Sequence, residues 1–145
     1  MGKIKKLWIG ITYFIVIMLS SACLKTTIYT LEYEELKEQV VKIEIGYVHD
    51  DTGRFFNTLA VLQSNEIEPF LEEFCKLSFA KYSPPRNESG ESVKLIYKSN
   101  AYEVISVYGG SVYDANGKYK KYGLGIANIS KQAFLDLINQ YIVEE

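Results

Sequence analysis

Residues 93–127 read VKLIYKSNAYEVISVYGGSVYDANGKYKKYGLGIA. Val93, Leu95 and Tyr97 alternate with Lys94 and Lys98. Period-two alternation with β-branched and aromatic residues predicts a strand. Ser99-Asn100-Ala101 predicts a turn. Tyr102, Val104, Ser106 and Tyr108 then alternate with Glu103, Ile105 and Val107, a second strand. Gly109-Gly110 breaks or bulges the run. Asp114-Ala115-Asn116-Gly117 is a hairpin signal, because Asn-Gly tolerates the positive φ of a type I′ turn. Lys118 to Ala127 is the returning strand. Strands joined by turns this short pair antiparallel.

Upstream of this block, Val41, Ile43, Ile45 and Tyr47 alternate with Lys42, Glu44 and Gly46. That predicts a strand with one buried face, followed by a turn at His49 to Gly53 and a returning strand from Phe55 to Leu62. Before it, Thr30 is the expected cap of a short helix, with Glu32, Glu34 and Glu35 suited to its positive end. After it, Asn65 and Glu68 form the expected capping box of a second helix running to Leu77, with Pro69 near its first turn. Ile67, Phe70, Leu71, Phe74 and Cys75 make its apolar stripe. Ser78 to Tyr82 reads as a strand, and Pro84 to Ser92 as a polar loop. Downstream, Ser130 is the expected cap of a last helix whose stripe is Phe134, Leu137, Ile138, Tyr141 and Ile142. Amphipathic helices beside antiparallel strands must cover one face of the sheet. The fold class is α+β: an antiparallel sheet of five to six strands with two or three helices on one face.

The first residues have a different character. Lys3, Lys5 and Lys6 precede a run from Leu7 to Leu24 that carries no charge, and Ser20, Ser21 and Ala22 are small residues before Cys23. Charge, apolar stretch and small-residue site are the order of an export signal. The lysines stay on the cytoplasmic side, so the following domain is placed outside. Leu19-Ser20-Ser21-Ala22-Cys23 resembles a bacterial lipobox, with Leu19 four residues before the cysteine rather than three. The resemblance implies lipidation of Cys23. Two other fates stay open: cleavage after Ala22 without a lipid, and an uncleaved segment of about 27 Å, enough for a tight membrane helix. The expected organisation is a signal or anchor over 1–22, a tether over 23–30 and one extracytoplasmic domain over 31–145.

The chain carries a formal net charge of -2, and without the three leading lysines 13 basic residues face 18 acidic ones. A domain with that balance lacks the cationic surplus that drives nucleic-acid binding. Nucleic acid is therefore excluded as a partner. No dinucleotide or phosphate-loop fingerprint occurs, and no cofactor or metal is implied. Asp51-Thr52-Gly53 matches the tripeptide of pepsin-like aspartic proteases, but it occurs once, and a turn explains it. His49, Asp50 and Asp51 are too few for a metal site. The single histidine and the lack of a nucleophile elbow argue against a hydrolytic triad. Cys75, on an apolar stripe, reads as a core cysteine.

Of the 12 tyrosines, Tyr97, Tyr102, Tyr108, Tyr113, Tyr119 and Tyr122 fall in the strand-rich second half. Tyr119 and Tyr122 interleave with Lys118, Lys120 and Lys121. Tyrosine joins a rigid apolar face to a polar tip, which suits binding surfaces, and it also has high β-propensity. The expected function is a non-catalytic binding module at the cell surface. Its candidate contact residues are Tyr113, Lys118, Tyr119, Lys121 and Tyr122. Its expected partners are the membrane, through a lipid or anchor, and a protein or cell-envelope ligand. Two alternatives are a small envelope hydrolase using the His49 to Asp51 turn with Glu103 or Asp114, and an accessory subunit of a membrane complex.

Overall fold

The computed structural model describes residues 27–49, 56–82, 90–107 and 109–143. Its elements are α1 (Tyr33–Gln39), β1 (Val40–Val48), β2 (Phe56–Val61), α2 (Ser64–Phe74), β3 (Phe79–Lys81), β4 (Gly90–Tyr97), β5 (Tyr102–Ser106), β6 (Gly109–Tyr113), β7 (Tyr119–Ile126), a 3₁₀ turn (Asn128–Ser130) and α3 (Lys131–Asn139). The strands form one seven-stranded sheet in the order β2-β1-β4-β5-β6-β7-β3. Every neighbouring pair is antiparallel. The class is α+β, as expected, with one or two more strands. The difference arises at Gly109-Gly110, where the expected break separates β5 from a further strand, β6, while β3 falls within the expected Ser78 to Tyr82 strand.

The helices share one side of the sheet. The chain leaves β2 at one edge, crosses that side as α2, and enters β3 at the opposite edge. Phe70, Leu71 and Phe74 of α2 and Phe134 and Ile138 of α3 meet Ile43, Ile45, Val93, Leu95, Ile105 and Ile126 in one buried cluster. Phe74 stands at its centre, with ring centroids 5.4 Å from Phe70 and 5.3 Å from Phe79. Burying each such side chain contributes about 1.5–3 kcal/mol, so this cluster is the main source of stability.

Local details depart from expectation where tertiary bonds compete. Thr30 does not cap α1; the cap position is Glu32. Tyr29 exchanges both backbone hydrogen bonds with Phe79, at 2.8 and 2.9 Å, so the chain is still extended there. The capping box of α2 lies two residues earlier than expected. Gln63 occupies the cap, and its N–H donates to Glu66 Oε2 at 2.7 Å. Pro69 therefore falls in the second turn, where the amide it lacks would have donated to the carbonyl of exposed Asn65. The helix ends at Phe74, and Cys75 is its half-buried C-cap. Burial, with Glu32 nearby, pushes the Cys75 thiol up to about 11. That suits a structural cysteine. Ser130 holds the cap position of α3, but its hydroxyl accepts the Ser78 amide at 2.8 Å and so ties α3 to the start of β3.

Candidate functional site

Among the described residues, no helix covers the second face of the sheet. A second, smaller cluster forms there from Val48, Val104 and Tyr113, with Phe56 and Tyr102 against it. Register decides which side chains share this face. Tyr102 pairs with Tyr113, Val104 with Ser111, and Ser111 with Tyr122. Opposed residues of an antiparallel pair project to the same side. The β6–β7 ladder slips between Val112 and Tyr113, so that Tyr113 pairs with Tyr119 while Val112 pairs with Lys121. Lys120 is the extra residue. Without that bulge, residues three apart on a strand would point to opposite faces. With it, Tyr119 and Tyr122 stand side by side.

The result is a ladder of rings. Tyr102 and Tyr113 stack with centroids 4.7 Å apart and planes 13° from parallel. Tyr113 meets Tyr119 edge-on at 6.0 Å, and Tyr119 meets Tyr122 edge-on at 5.8 Å. Such offset-stacked and edge-to-face pairs each contribute about 0.5–1.5 kcal/mol beyond burial. Exposure rises along the ladder. Tyr113 is 2% exposed, Tyr119 38% and Tyr122 50%. Tyr113 is thus the foundation beneath the outer two rings rather than a contact residue. At the inner end the Lys94 ammonium lies 4.5 Å from the Tyr102 centroid and 5.8 Å from that of Phe56.

The turn that carries the ladder is built by Asp114. Its Oδ1 accepts the N–H groups of Asn116 and Lys118, both at 2.9 Å. The Gly117 N–H donates to the Asp114 carbonyl, and Gly117 has φ 76° while Asn116 stays out of the left-handed region. This is a type I turn followed by a left-handed glycine, not the type I′ turn that Asn-Gly suggests. The Asp114 side chain makes the difference by holding two amides that a two-residue loop would leave pointing elsewhere. Chiefly the Lys118 N–H, then the other donors around it, hold the Asp114 carboxyl below the usual range. Lys120 Nζ reaches Asp114 Oδ2 at 3.3 Å. Among the described residues, no carboxylate lies within ion-pair distance of Lys118 or Lys121. The hairpin end is therefore locally cationic. Lys118 and Lys120 flank its tip, and Lys121 lies beside Val112 on the face opposite the rings.

The remaining candidates are dispersed. Tyr97 lies on the helix side, where its hydroxyl donates to Glu103 Oε2 at 2.6 Å. Burial first, and Glu103 second, push its hydroxyl pKa far up. Both residues line a cleft of about 450 Å³ with Leu36, Gln39 and Ser99. His49 is exposed beyond the C-terminal end of β1, whereas Glu103 and Asp114 belong to the end where β1 begins. The structure does not bring the histidine together with either carboxylate. Cys23, Asp50, Asp51, Thr52, Gly53, Tyr108 and most of the Pro84–Ser92 loop lie outside the described residues. Among the described residues no cluster of three metal-ligating side chains occurs, and no helix is long and apolar enough to cross a membrane.

Comparisons with protein families, with curated proteins and with solved structures found no match to this chain.

Proposed function

We propose that the chain is a membrane-attached extracytoplasmic binding module, with the β6–β7 hairpin as its contact surface. The observation that supports this reading is the ladder itself: two exposed tyrosines held by ring contacts to a buried third. An aromatic side chain fixed before binding loses little rotamer entropy when a partner arrives. Anchors of this kind, with a cation beside them, are the side chains that dominate binding energy at interfaces. The bulge at Lys120 serves no evident purpose in the core, and its effect is to bring Tyr119 and Tyr122 to one side. The export segment supplies the address, and the lipobox-like Cys23 supplies the tether.

A photo-crosslinking amino acid at position 122, in the full chain expressed in its native host, tests the surface. The control is the same probe at Ile129, which is 82% exposed in the 3₁₀ turn. We expect an adduct from position 122 that is absent from position 129. No adduct at 122, or the same adducts from both sites, would remove the hairpin as the contact surface.

A further inference from the structure

We infer that the partner of this hairpin is the anionic headgroup surface of the membrane to which the chain is itself tethered. The inference rests on the tethered reading above and names what the contact surface meets.

Direction comes first. Tyr29 pairs antiparallel with Phe79, and β3 pairs antiparallel with β7, Phe79 opposite Ile126 and Lys81 opposite Leu124. Followed towards the N terminus, the chain at Thr27 therefore heads the same way as β7 followed back towards Tyr119. The tether and the hairpin tip leave the sheet at one end, separated only by β3.

Reach comes second. From Leu124 back to Tyr119, at about 3.4 Å per residue, β7 extends about 17 Å past the level of Lys81. Cys23 precedes Thr27 by a stretch that spans at most about 14 Å when fully extended. A membrane boundary at Cys23 thus falls at the height of the hairpin tip or short of it. The same holds for an uncleaved helix ending at Leu24. Either tether brings Tyr119 and Tyr122 to the lipid surface without any rearrangement of the domain.

Charge and chemistry come third. The tip carries Lys118 and Lys120 beside one carboxylate, Asp114, which Lys120 and two backbone amides already engage, while Lys121 projects to the opposite face of the hairpin, the face of Glu103. On the helix side, Glu32, Glu35 and Glu103 line a cleft at this same end of the sheet, on the face away from the rings. Lysines near an anionic bilayer gain about 1 kcal/mol each, and tyrosine favours the headgroup level, where its ring is apolar and its hydroxyl wet. A hairpin with rings on one face and lysines at its tip has the amphipathic character of an interfacial element.

The test reconstitutes the full chain in vesicles of mixed phosphatidylglycerol and phosphatidylcholine, and in phosphatidylcholine alone. Amine labelling read by mass spectrometry reports Lys118 and Lys121, with Lys76 on the far side of the molecule as the internal control. We expect both hairpin lysines to label at least about five-fold more slowly on the mixed vesicles, with Lys76 unchanged. The double variant Y119A/Y122A, which removes only exposed rings, should restore most of the labelling. Equal labelling on the two vesicles, with the chain still floating with the lipid, overturns the inference and leaves the tether standing. A protein adduct from position 122 in cells would then assign the hairpin to a protein partner. A chain that floats with neither vesicle overturns the tether, and the inference with it.

Discussion

Glu44 shows how one buried charge shapes the open face. It lies on β1 opposite the helix layer, 9% exposed, between β2 and β4. The period-two pattern of β1 assigns that side to solvent, which is why a glutamate there reads as a surface residue. Instead Lys42 Nζ reaches Glu44 Oε1 at 2.7 Å, Thr58 donates to Oε2 at 3.1 Å, and Lys94 Nζ stands 3.8 Å away. Burial alone would raise the carboxyl; Lys42, Lys94 and Thr58 outweigh it and hold Glu44 below the ordinary value of 4.5. A depressed carboxylate stabilises the fold above its unfolded pKa, and the contribution is lost as pH falls through the folded one. Glu44→Gln should therefore cost about 1–3 kcal/mol near neutral pH, with the gap to the wild type closing below about pH 4. Denaturant unfolding of both proteins across that range measures it. Parallel stability curves would mean that the carboxylate charge contributes nothing.

At the scale of elements, two glycines mark where strands approach too closely for a side chain. A Cβ on Gly46 would lie 2.0 Å from the Asn57 carbonyl oxygen, and one on Gly110 would lie 2.0 Å from that of Leu124. Gly46 borders the β1–β2 slip, and Gly110 is the second residue of β6, opposite Gly123 of β7. Gly110→Ala should destabilise by about 1–3 kcal/mol and lower the melting temperature by several degrees, because backbone must move to admit the methyl. Gly117→Ala, in an open turn at φ 76°, should cost about 1 kcal/mol through strain alone. Thermal unfolding that ranked the two in the opposite order would contradict the packing assigned to β6. These sites also show what was legible in the chain. Element type follows from periodicity, so the helices, the hairpins and the α+β class are readable without coordinates. The capping box at Gln63 is less so, because glutamine is an uncommon cap and Asn65 offers the more familiar pattern. The pairing of Tyr119 with Tyr122 is not readable at all: it depends on a one-residue slip at Lys120 that no spacing in the sequence announces. A spacing of three on a strand otherwise argues against a shared face.

For the whole molecule, the order of strands matters more than any single contact. Because α2 carries the chain from the β2 edge to the β3 edge, the β4–β7 meander places β7 next to β3, and β3 lies next to the segment at Tyr29. Thr27, the first described residue, and the tyrosine hairpin thereby leave the sheet at one end of the domain, although they are far apart in sequence. Everything proposed about the hairpin depends on what becomes of residues 1–22, and the intact mass of the protein isolated from host membranes decides that. We expect the mass of Cys23 to Glu145 plus acyl groups. Two or more chains on one cysteine hold a domain firmly where a single chain holds it marginally, at about 0.8 kcal/mol per buried CH₂. The hairpin would then add orientation rather than attachment, and Y119A/Y122A should leave the protein in the membrane fraction. A full-length mass would make the segment an uncleaved anchor and give Cys23 no lipid, but it would keep the hairpin at the same height over the bilayer. A mass beginning at Cys23 without acyl groups would free the domain altogether. In that case the hairpin would have to supply the attachment itself, and the same double variant should release the protein into the soluble fraction.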